Sequence, residues 1–360
     1  VAVAFHQLEV ADVRRETPDA VSIAFAVPKS LREAYAFAPG QHLTMRTVLD
    51  GVEARRSYSI CSGLDDGELR IAVKKVDGGV FSRFANEVVK PGDRIDVMTP
   101  QGRFGLPPGA TEARTYLAIA AGSGITPIMS ILRTVLTREP ASRMILLYGN
   151  RDSRSIIFRH ALEDLKDRFL DRLGVYHVLS REAQEVALLN GRIDGDKIGI
   201  FLRTVVPAGR IDAVFLCGPG DLIADGKAAL VRCGVPAERI HAEYFTADGA
   251  PGARREAAGL PAHAAADPAA LVSVRLDGAD HVIKLLDGET IVEAGLRQGL
   301  EMPYSCRGGM CCTCRARVTA GKVAMDQNFS LEPWEMQAGY VLTCQAHPTT
   351  ATVAVDYDQV

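Results

Sequence analysis

Cys306, Cys311 and Cys314 stand in the spacing Cys-x4-Cys-x2-Cys, and Cys344 follows after twenty-nine further residues. That is the ligand spacing of a plant-type [2Fe–2S] cluster, in which cysteine thiolates hold both irons. Glycines such as Gly308 and Gly309 let such a loop fold tightly enough for backbone N–H groups to point at the sulfurs. A zinc site or a disulfide pair is the other use of such residues, but zinc knuckles favour two separated Cys-x-x-Cys pairs. Cys312 is out of register with the spacing and reads as a free thiol beside the cluster. The segment therefore points to a one-electron carrier.

Four other segments could handle phosphates and an aromatic ring system. Arg56-Ser57-Tyr58-Ser59 closes one strand pattern, and Gly79-Val80-Phe81-Ser82 opens a helical one. A flavin needs an aromatic wall, a polar hydrogen close to N5 and a cation or helix N-terminus for its phosphates, and this pair could supply all three. By themselves the two segments equally suit an exposed strand end and a turn. Ala121-Gly122-Ser123-Gly124-Ile125-Thr126-Pro127 follows a strand and precedes an apolar helix, the place where a glycine-rich turn brings phosphate onto backbone N–H groups. It departs from G-x-G-x-x-G in having Pro127 at the third position. Cys217-Gly218-Pro219-Gly220 ends another strand, where ligands bind in open α/β sheets; taken singly, Cys217 also suits a small buried hydrophobe.

The elements that must position these groups change character along the chain. Up to about residue 110, short alternating strands are broken by turn signals such as Pro39-Gly40, Asp50-Gly51, Asp66-Gly67, Gly78-Gly79 and Pro91-Gly92, which predicts an antiparallel β-barrel over 1–110. Over 111–246, apolar runs at 116–120, 144–148 and 213–216 are separated by helical stretches, the βαβ pattern of a parallel sheet. Residues 247–270 are dominated by Ala, Gly and Pro and read as a flexible linker, with Pro251, Pro261 and Pro268 interrupting any helix. Strands resume at 272–276 and 281–285, and a short helix over 291–299 leads into the cysteine loop, so 271–360 forms a third, α+β domain.

Composition narrows the setting. A chain of 360 residues suits two or three domains. No apolar run approaches the roughly 18 residues that span a bilayer, and Val1-Ala2-Val3-Ala4-Phe5 has no basic region before an apolar core, so neither a membrane partner nor a signal peptide is expected. Eight cysteines with no disulfide framework suit the cytoplasm. The net charge of −3 argues against nucleic acid. Residues 271–360 hold 7 Lys plus Arg against 11 Asp plus Glu, which makes the iron–sulfur end the acidic end.

Together the segments resemble the ferredoxin–NADP reductase superfamily along the whole chain: a flavin barrel, a pyridine-nucleotide domain and a C-terminal β-grasp-like ferredoxin domain. Arg56-x-Tyr58-Ser59, Gly122-Ser123-Gly124-Ile125-Thr126-Pro127, Tyr148-Gly149-Asn150-Arg151, Gly191-Arg192-Ile193-Asp194, Cys217-Gly218-Pro219, Asn328 to Pro333 and Gly339 to Gln345 are similar to the reductase subunits of bacterial ring-1,2-phenylacetyl-CoA epoxidases. The resemblance implies that Arg56 pairs with the flavin pyrophosphate, Tyr58 packs on the isoalloxazine, Ser59 donates toward N5, and Gly79 and Ser82 hold a second phosphate contact. It places Gly122, Gly124, Thr126, Pro127 and Gly218 at the nucleotide, Cys217 near the nicotinamide C4, and Glu243-Tyr244-Phe245 at the far face of the flavin. Ser59 and Cys217 are thus the expected catalytic residues. FAD is expected ahead of FMN. NADPH is expected ahead of NADH, because the second strand of the nucleotide domain ends near Arg151 and Arg154, although Asp152 lies between them.

The resemblance implies electron flow from NADPH through FAD and [2Fe–2S] to the oxygenase subunits of a multicomponent oxygenase, above all the diiron phenylacetyl-CoA epoxidase. The linker would let the acidic domain visit the flavin and then its partner. The chain does not carry the oxygenation centre itself: a diiron bundle needs two Glu-x-x-His motifs, and only Glu238-Arg239-Ile240-His241 has that spacing. Nor does a Cys-x-His of a Rieske centre occur beside Cys344-Gln345-Ala346-His347. A steroid or aromatic-ring hydroxylase reductase shares the same modules. A redox sensor that passes no electrons on would need a reader domain, and the sequence offers none.

Overall fold

The computed structural model describes residues 4–107, 109–245 and 269–359. They fall into two compact units, a larger N-terminal one that contains two sheets and a smaller C-terminal one. The expected linker lies, apart from its last two residues, outside the described residues, and Ala270 already belongs to a strand.

The first sheet contains β1 (Phe5–Thr17), β2 (Ala20–Ala26), β3 (His42–Leu49), β4 (Val52–Ser59), β5 (Leu69–Lys74) and β6 (Arg94–Met98) in the order β4-β3-β6-β1-β2-β5. Just beyond β4, Ile60 bridges to Ile71 of β5, and Cys61 N donates to Arg70 O at 2.8 Å. The two outermost strands thereby meet and the sheet curls into the expected barrel. Its inside is filled by alternating strand residues such as Leu8, Ile23, Leu43, Met45, Ile71 and Val97, joined by Phe81 from helix α1 (Val80–Glu87).

The second sheet is parallel throughout. β7 (Thr115–Ala121), α2 (Ile125–Arg138), β8 (Arg143–Asn150), α3 (Arg159–Arg168), β9 (Leu173–Leu179), α4 (Gly195–Thr204), β10 (Ala213–Gly218), α5 (Gly220–Arg232) and β11 (Ile240–Tyr244) give the strand order β11-β10-β7-β8-β9. The order reverses between β7 and β10, which makes a switch point at their C-terminal ends. Ser130 on α2 donates through Oγ to Ser62 O at 2.7 Å, and Arg133 pairs with Asp66 at 2.6 Å. The loop after β4 is therefore fastened to the helix that follows the glycine-rich turn. One apolar core, running from Ala20, Cys61 and Ala72 to Ile128, Leu132 and Phe215, serves both sheets.

The C-terminal unit is α+β. β12 (Ala270–Leu276), β13 (Ala279–Leu285), α6 (Ile291–Arg297), β14 (Arg315–Ala320), β15 (Val323–Met325), α7 (Pro333–Gln337), β16 (Tyr340–Leu342), β17 (Ala346–Pro348) and β18 (Thr352–Asp356) form a five-stranded sheet, β13-β12-β18-β14-β16, and a small β15-β17 pair. The parallel β12-β18 pair joins two antiparallel pairs, and α6 packs against the sheet through Ile291, Val292 and Ala294. Thr290 and Glu293 form a reciprocal capping box that starts α6 where the sequence expects it. Arg315 of β14 pairs with Glu335 of α7 at 2.9 Å, both side chains almost fully buried.

Candidate functional site

The cysteine loop runs from the end of α6 to β14, and Cys344 sits between β16 and β17. Two cross-links bring the segments together. Thr343 donates through Oγ1 to Cys314 O at 2.7 Å, and Gln345 donates through Nε2 to Arg307 O at 2.7 Å. Gly309 has a φ of 75°, and an added Cβ would fall 2.9 Å from Gln327 O, so only glycine fits this corner. The four thiols act on one another in two pairs, Cys306 with Cys311 and Cys314 with Cys344. In each pair the neighbouring thiol is the main influence, holding Cys306 and Cys344 below the ordinary thiol range and pushing Cys311 and Cys314 up. Backbone N–H groups of Gly308 and Met310 approach Cys306 Sγ at 3.4 Å, and Cys306 N approaches Cys311 Sγ at 3.5 Å.

Among the described residues no three His, Cys, Asp or Glu side chains gather around a point that would hold a single metal ion. Two pairs of thiols, each able to carry one iron, instead fit a dinuclear cluster. Cys312 stands apart. It has a φ of 54°, burial pushes its thiol up to about 12, and Ser330 is its polar neighbour.

In the larger unit the switch point gathers residues from both sheets. Gly122 and Gly124 follow β7, and Cys217 and Gly218 end β10. A Cβ on Gly124 would lie 2.2 Å from Cys217 O, so the turn touches the neighbouring strand backbone to backbone. Thr126 donates through Oγ1 to Ser123 O at 3.0 Å and braces the turn. Pro127 lies in the first turn of α2, where a missing N–H costs nothing, which explains its departure from the usual fingerprint. Phe245 N donates to Gly218 O at 3.3 Å, and its ring packs on the shared core.

Ser59, at the end of β4, is buried and donates through Oγ to Glu243 Oε2 of β11 at 3.3 Å. Glu243 is also the strand neighbour of Cys217. The Cys217 thiol is fully buried, and burial first, then the Glu243 charge, pushes it well up; it is a neutral packing group rather than a thiolate. Tyr58 of β4 leans its ring on Phe81, with centroids 5.6 Å apart. Arg56 is half-buried on β4 and donates through Nη1 to Arg55 O at 2.8 Å.

Gly79 is the N-cap of α1, and no side chain caps that helix, so its first-turn N–H groups point outward. Ser82 differs from a phosphate ligand in one respect. It is buried, accepts from Val76 N and donates to Gly79 O, both at 3.2 Å, so its hydroxyl closes the loop.

Arg151 and Arg154 lie beyond β8, and Asp152 between them accepts from Ser155 N at 3.0 Å in a capping box. The structure adds Lys74, which sequence reasoning missed. A Cβ on Gly122 would be 3.5 Å from Lys74 Nζ, and burial, with the charge of Arg151, pulls this ammonium down. No sequence signal links a strand end of one sheet to a turn of the other. Of the isolated Glu-x-x-His match, His241 stacks on Phe215, a packing role. No helix among the described residues is long and apolar enough to cross a membrane.

Three family models match the chain: an oxidoreductase FAD-binding domain over residues 7–105, an oxidoreductase NAD-binding domain over 118–227 and a 2Fe-2S iron-sulfur cluster binding domain over 274–349. The chain is 48% identical over 355 residues, 98% of each protein, to one of the subunits of the 1,2-phenylacetyl-CoA epoxidase of Escherichia coli K12. It is 35% identical to the ferredoxin reductase component of the 3-ketosteroid-9-alpha-monooxygenase of Rhodococcus rhodochrous, over 92% of this chain and 91% of that one. The crystal structure of phthalate dioxygenase reductase matches 98% of both chains with a TM-score of 0.58 at 22% identity, which supports the fold.

Proposed function

Because the chain belongs to the family of oxygenase reductases that join FAD-binding, NAD-binding and [2Fe–2S] domains in one polypeptide, we propose that it draws electrons from NADPH and passes them singly to the oxygenase subunits of a phenylacetyl-CoA epoxidase. The observation that carries the choice of acceptor is the 48% identity to the Escherichia coli epoxidase chain across 98% of both proteins. A ketosteroid hydroxylase is the second reading, favoured by the 35% relative.

When bound, FAD takes a hydride from the nicotinamide and releases its electrons one at a time, and the cluster carries single electrons. The chain's own residues bind and orient. Tyr58, held against Phe81, would form one wall for the isoalloxazine, and Ser59 would turn its hydroxyl from Glu243 toward N5. Arg56 and the uncapped start of α1 would take the flavin phosphates, the latter through N–H groups rather than the Ser82 hydroxyl. Gly122, Gly124, Thr126 and Pro127 would shape the turn that receives the nucleotide phosphates, with Lys74 beside it. Cys217 and Gly218 would floor the nicotinamide site, and Phe245 would border the flavin. No acid or base is required, since proximity and stacking supply most of the rate. Cys306, Cys311, Cys314 and Cys344 would hold the cluster. The eight cysteines are all unpaired, which suits the cytoplasm.

NADPH over NADH is supported by Arg151, Arg154 and Lys74 and by the engagement of Asp152 in its cap. Arg151→Ala should raise KM for NADPH about tenfold and leave that for NADH nearly unchanged; equal effects on both coenzymes would remove the argument. For the acceptor, NADPH oxidation is measured with purified epoxidase oxygenase subunits, with and without phenylacetyl-CoA. Product formed in step with NADPH supports the reading. Dye reduction without product transfers it to another oxygenase.

A further inference from the structure

Thr343 stands immediately before Cys344, and its main-chain N and its hydroxyl both donate to the carbonyl oxygen of Cys314, at 3.1 and 2.7 Å. One residue thereby clasps the second cysteine pair. Its own carbonyl accepts from Val292 N of α6 at 3.2 Å, which holds it from that side. On the other side lies Tyr357, fourteen residues further along the chain, with its hydroxyl oxygen 2.6 Å from Thr343 Oγ1. Both side chains are buried. Tyr357 follows β18 directly and is tied to β12 by a bond from its N to Arg275 O at 3.0 Å.

The direction of these bonds follows from a count of protons. A threonine hydroxyl has one proton, and a carbonyl can only accept. That proton goes to Cys314, so in the short contact between Thr343 and Tyr357 the tyrosine is the donor. Burial pushes its phenol well up, against the lowering effect of the Thr343 bond, and it keeps its proton. The relay therefore runs from the Tyr357 O–H through the Thr343 O–H to the Cys314 carbonyl, with each hydrogen directed toward the cysteine. Such a chain is cooperative, because a hydroxyl that accepts a bond becomes a stronger donor.

We propose that Tyr357 is a positioning residue for electron transfer: acting through Thr343, it fixes and polarises the Cys314 carbonyl and so favours the reduced state of the cluster. The proposal rests on reading Cys306, Cys311, Cys314 and Cys344 as the cluster ligands. A reduced cluster carries one more negative charge than an oxidised one, and the bonds to the Cys314 carbonyl draw negative charge away at a residue that would hold iron. One electron enters and one leaves, and no bond or proton moves. The main-chain N–H groups near Cys306 and Cys311 act on the half-buried pair of thiols, whereas the relay reaches the buried pair, Cys314 and Cys344.

The test is a redox titration of the full chain with FAD and cluster in place, read from the paramagnetic signal of the reduced cluster. Tyr357→Phe, which keeps the ring, should lower the midpoint potential by about threefold in the equilibrium constant, about 28 mV for one electron, with the visible spectrum unchanged. Thr343→Val should lower it at least as far, and Thr343→Ser should restore most of the loss. Tyr357→Phe added to Thr343→Val should move it no further, since the relay is already cut. Val355→Ala, on β18 in the same core, should lower the urea midpoint and leave the potential where it was. An unmoved potential in Tyr357→Phe, an equal shift in Val355→Ala or a full further shift in the double variant overturns the proposal. Equal potentials in Thr343→Ser and Thr343→Val overturn it too, without recourse to the tyrosine variant. An unsubstituted chain that shows no cluster signal when iron and sulfide are supplied removes the ligand reading and the proposal with it, whereas a normal signal with unmoved potentials removes the proposal alone.

Discussion

His42, at the start of β3, is only 4% exposed, and burial pulls its imidazole down to about 4 from the ordinary 6.5. Between those values the unfolded chain binds a proton that the folded chain refuses. The stabilisation is therefore complete above the unfolded value and is lost as pH falls from there toward the folded one, by about 3 kcal/mol at most. His42→Gln should flatten this acid limb in urea denaturation measured above and below the window, and an unchanged limb would assign it to other groups. The cysteines allow a sharper substitution. Cys311→Ser should abolish the visible and paramagnetic signals of the cluster and electron delivery to the oxygenase, yet keep NADPH–ferricyanide activity; retained delivery would show that Cys312 can serve as the ligand. The register of these four cysteines was legible in the sequence, because a cluster would impose a fixed spacing on its loop. The contact of Glu243 with Ser59 was not legible, since the two are 184 positions apart and their meeting depends on the packing of two sheets. Lys74 had no signal at all, and neither did the bonds of the Ser82 hydroxyl to Val76 and Gly79.

Elements explain why the turn after β7 is so intolerant. The α2 N-terminus would reach a nucleotide only if β7 and β10 run close enough for Gly124 to touch the Cys217 carbonyl, as they do. Gly124→Ala must push those backbones apart, at a cost of about 2 kcal/mol or more. A lower denaturation midpoint together with a raised KM for NADPH is expected, and a neutral alanine would mean the turn can shift without harm. The sequence marked the strands and helices of this sheet well, because apolar runs of strand length alternate with amphipathic helices. In the C-terminal unit it left more unsaid. The short β15-β17 pair and the five-residue α7 are too brief to show a period, and α7 is held by the Arg315–Glu335 pair, a contact made in three dimensions.

At the scale of the molecule, each unit has its own means of standing. The C-terminal core is built from residues between Ala270 and Tyr357, and the bonds from Thr343 to Cys314, from Gln345 to Arg307 and from Ser330 to Gly309 that shape the cysteine loop lie inside the same stretch. Residues 269–360 expressed alone should fold and show the [2Fe–2S] spectrum, and 1–245 should bind flavin and reduce ferricyanide with NADPH. Failure of either piece to fold would show that the units depend on one another for stability. Both units would lose delivery to the oxygenase when separated, because electrons then have to find the cluster by diffusion.

Trp334 is the only tryptophan in the chain, and it sits on the exposed side of α7. Indole fluorescence from this protein thus comes from a single lamp at one end. A melting curve followed by that emission follows the C-terminal unit alone, and a collapse of the barrel that carries His42 would pass unseen until measured by circular dichroism.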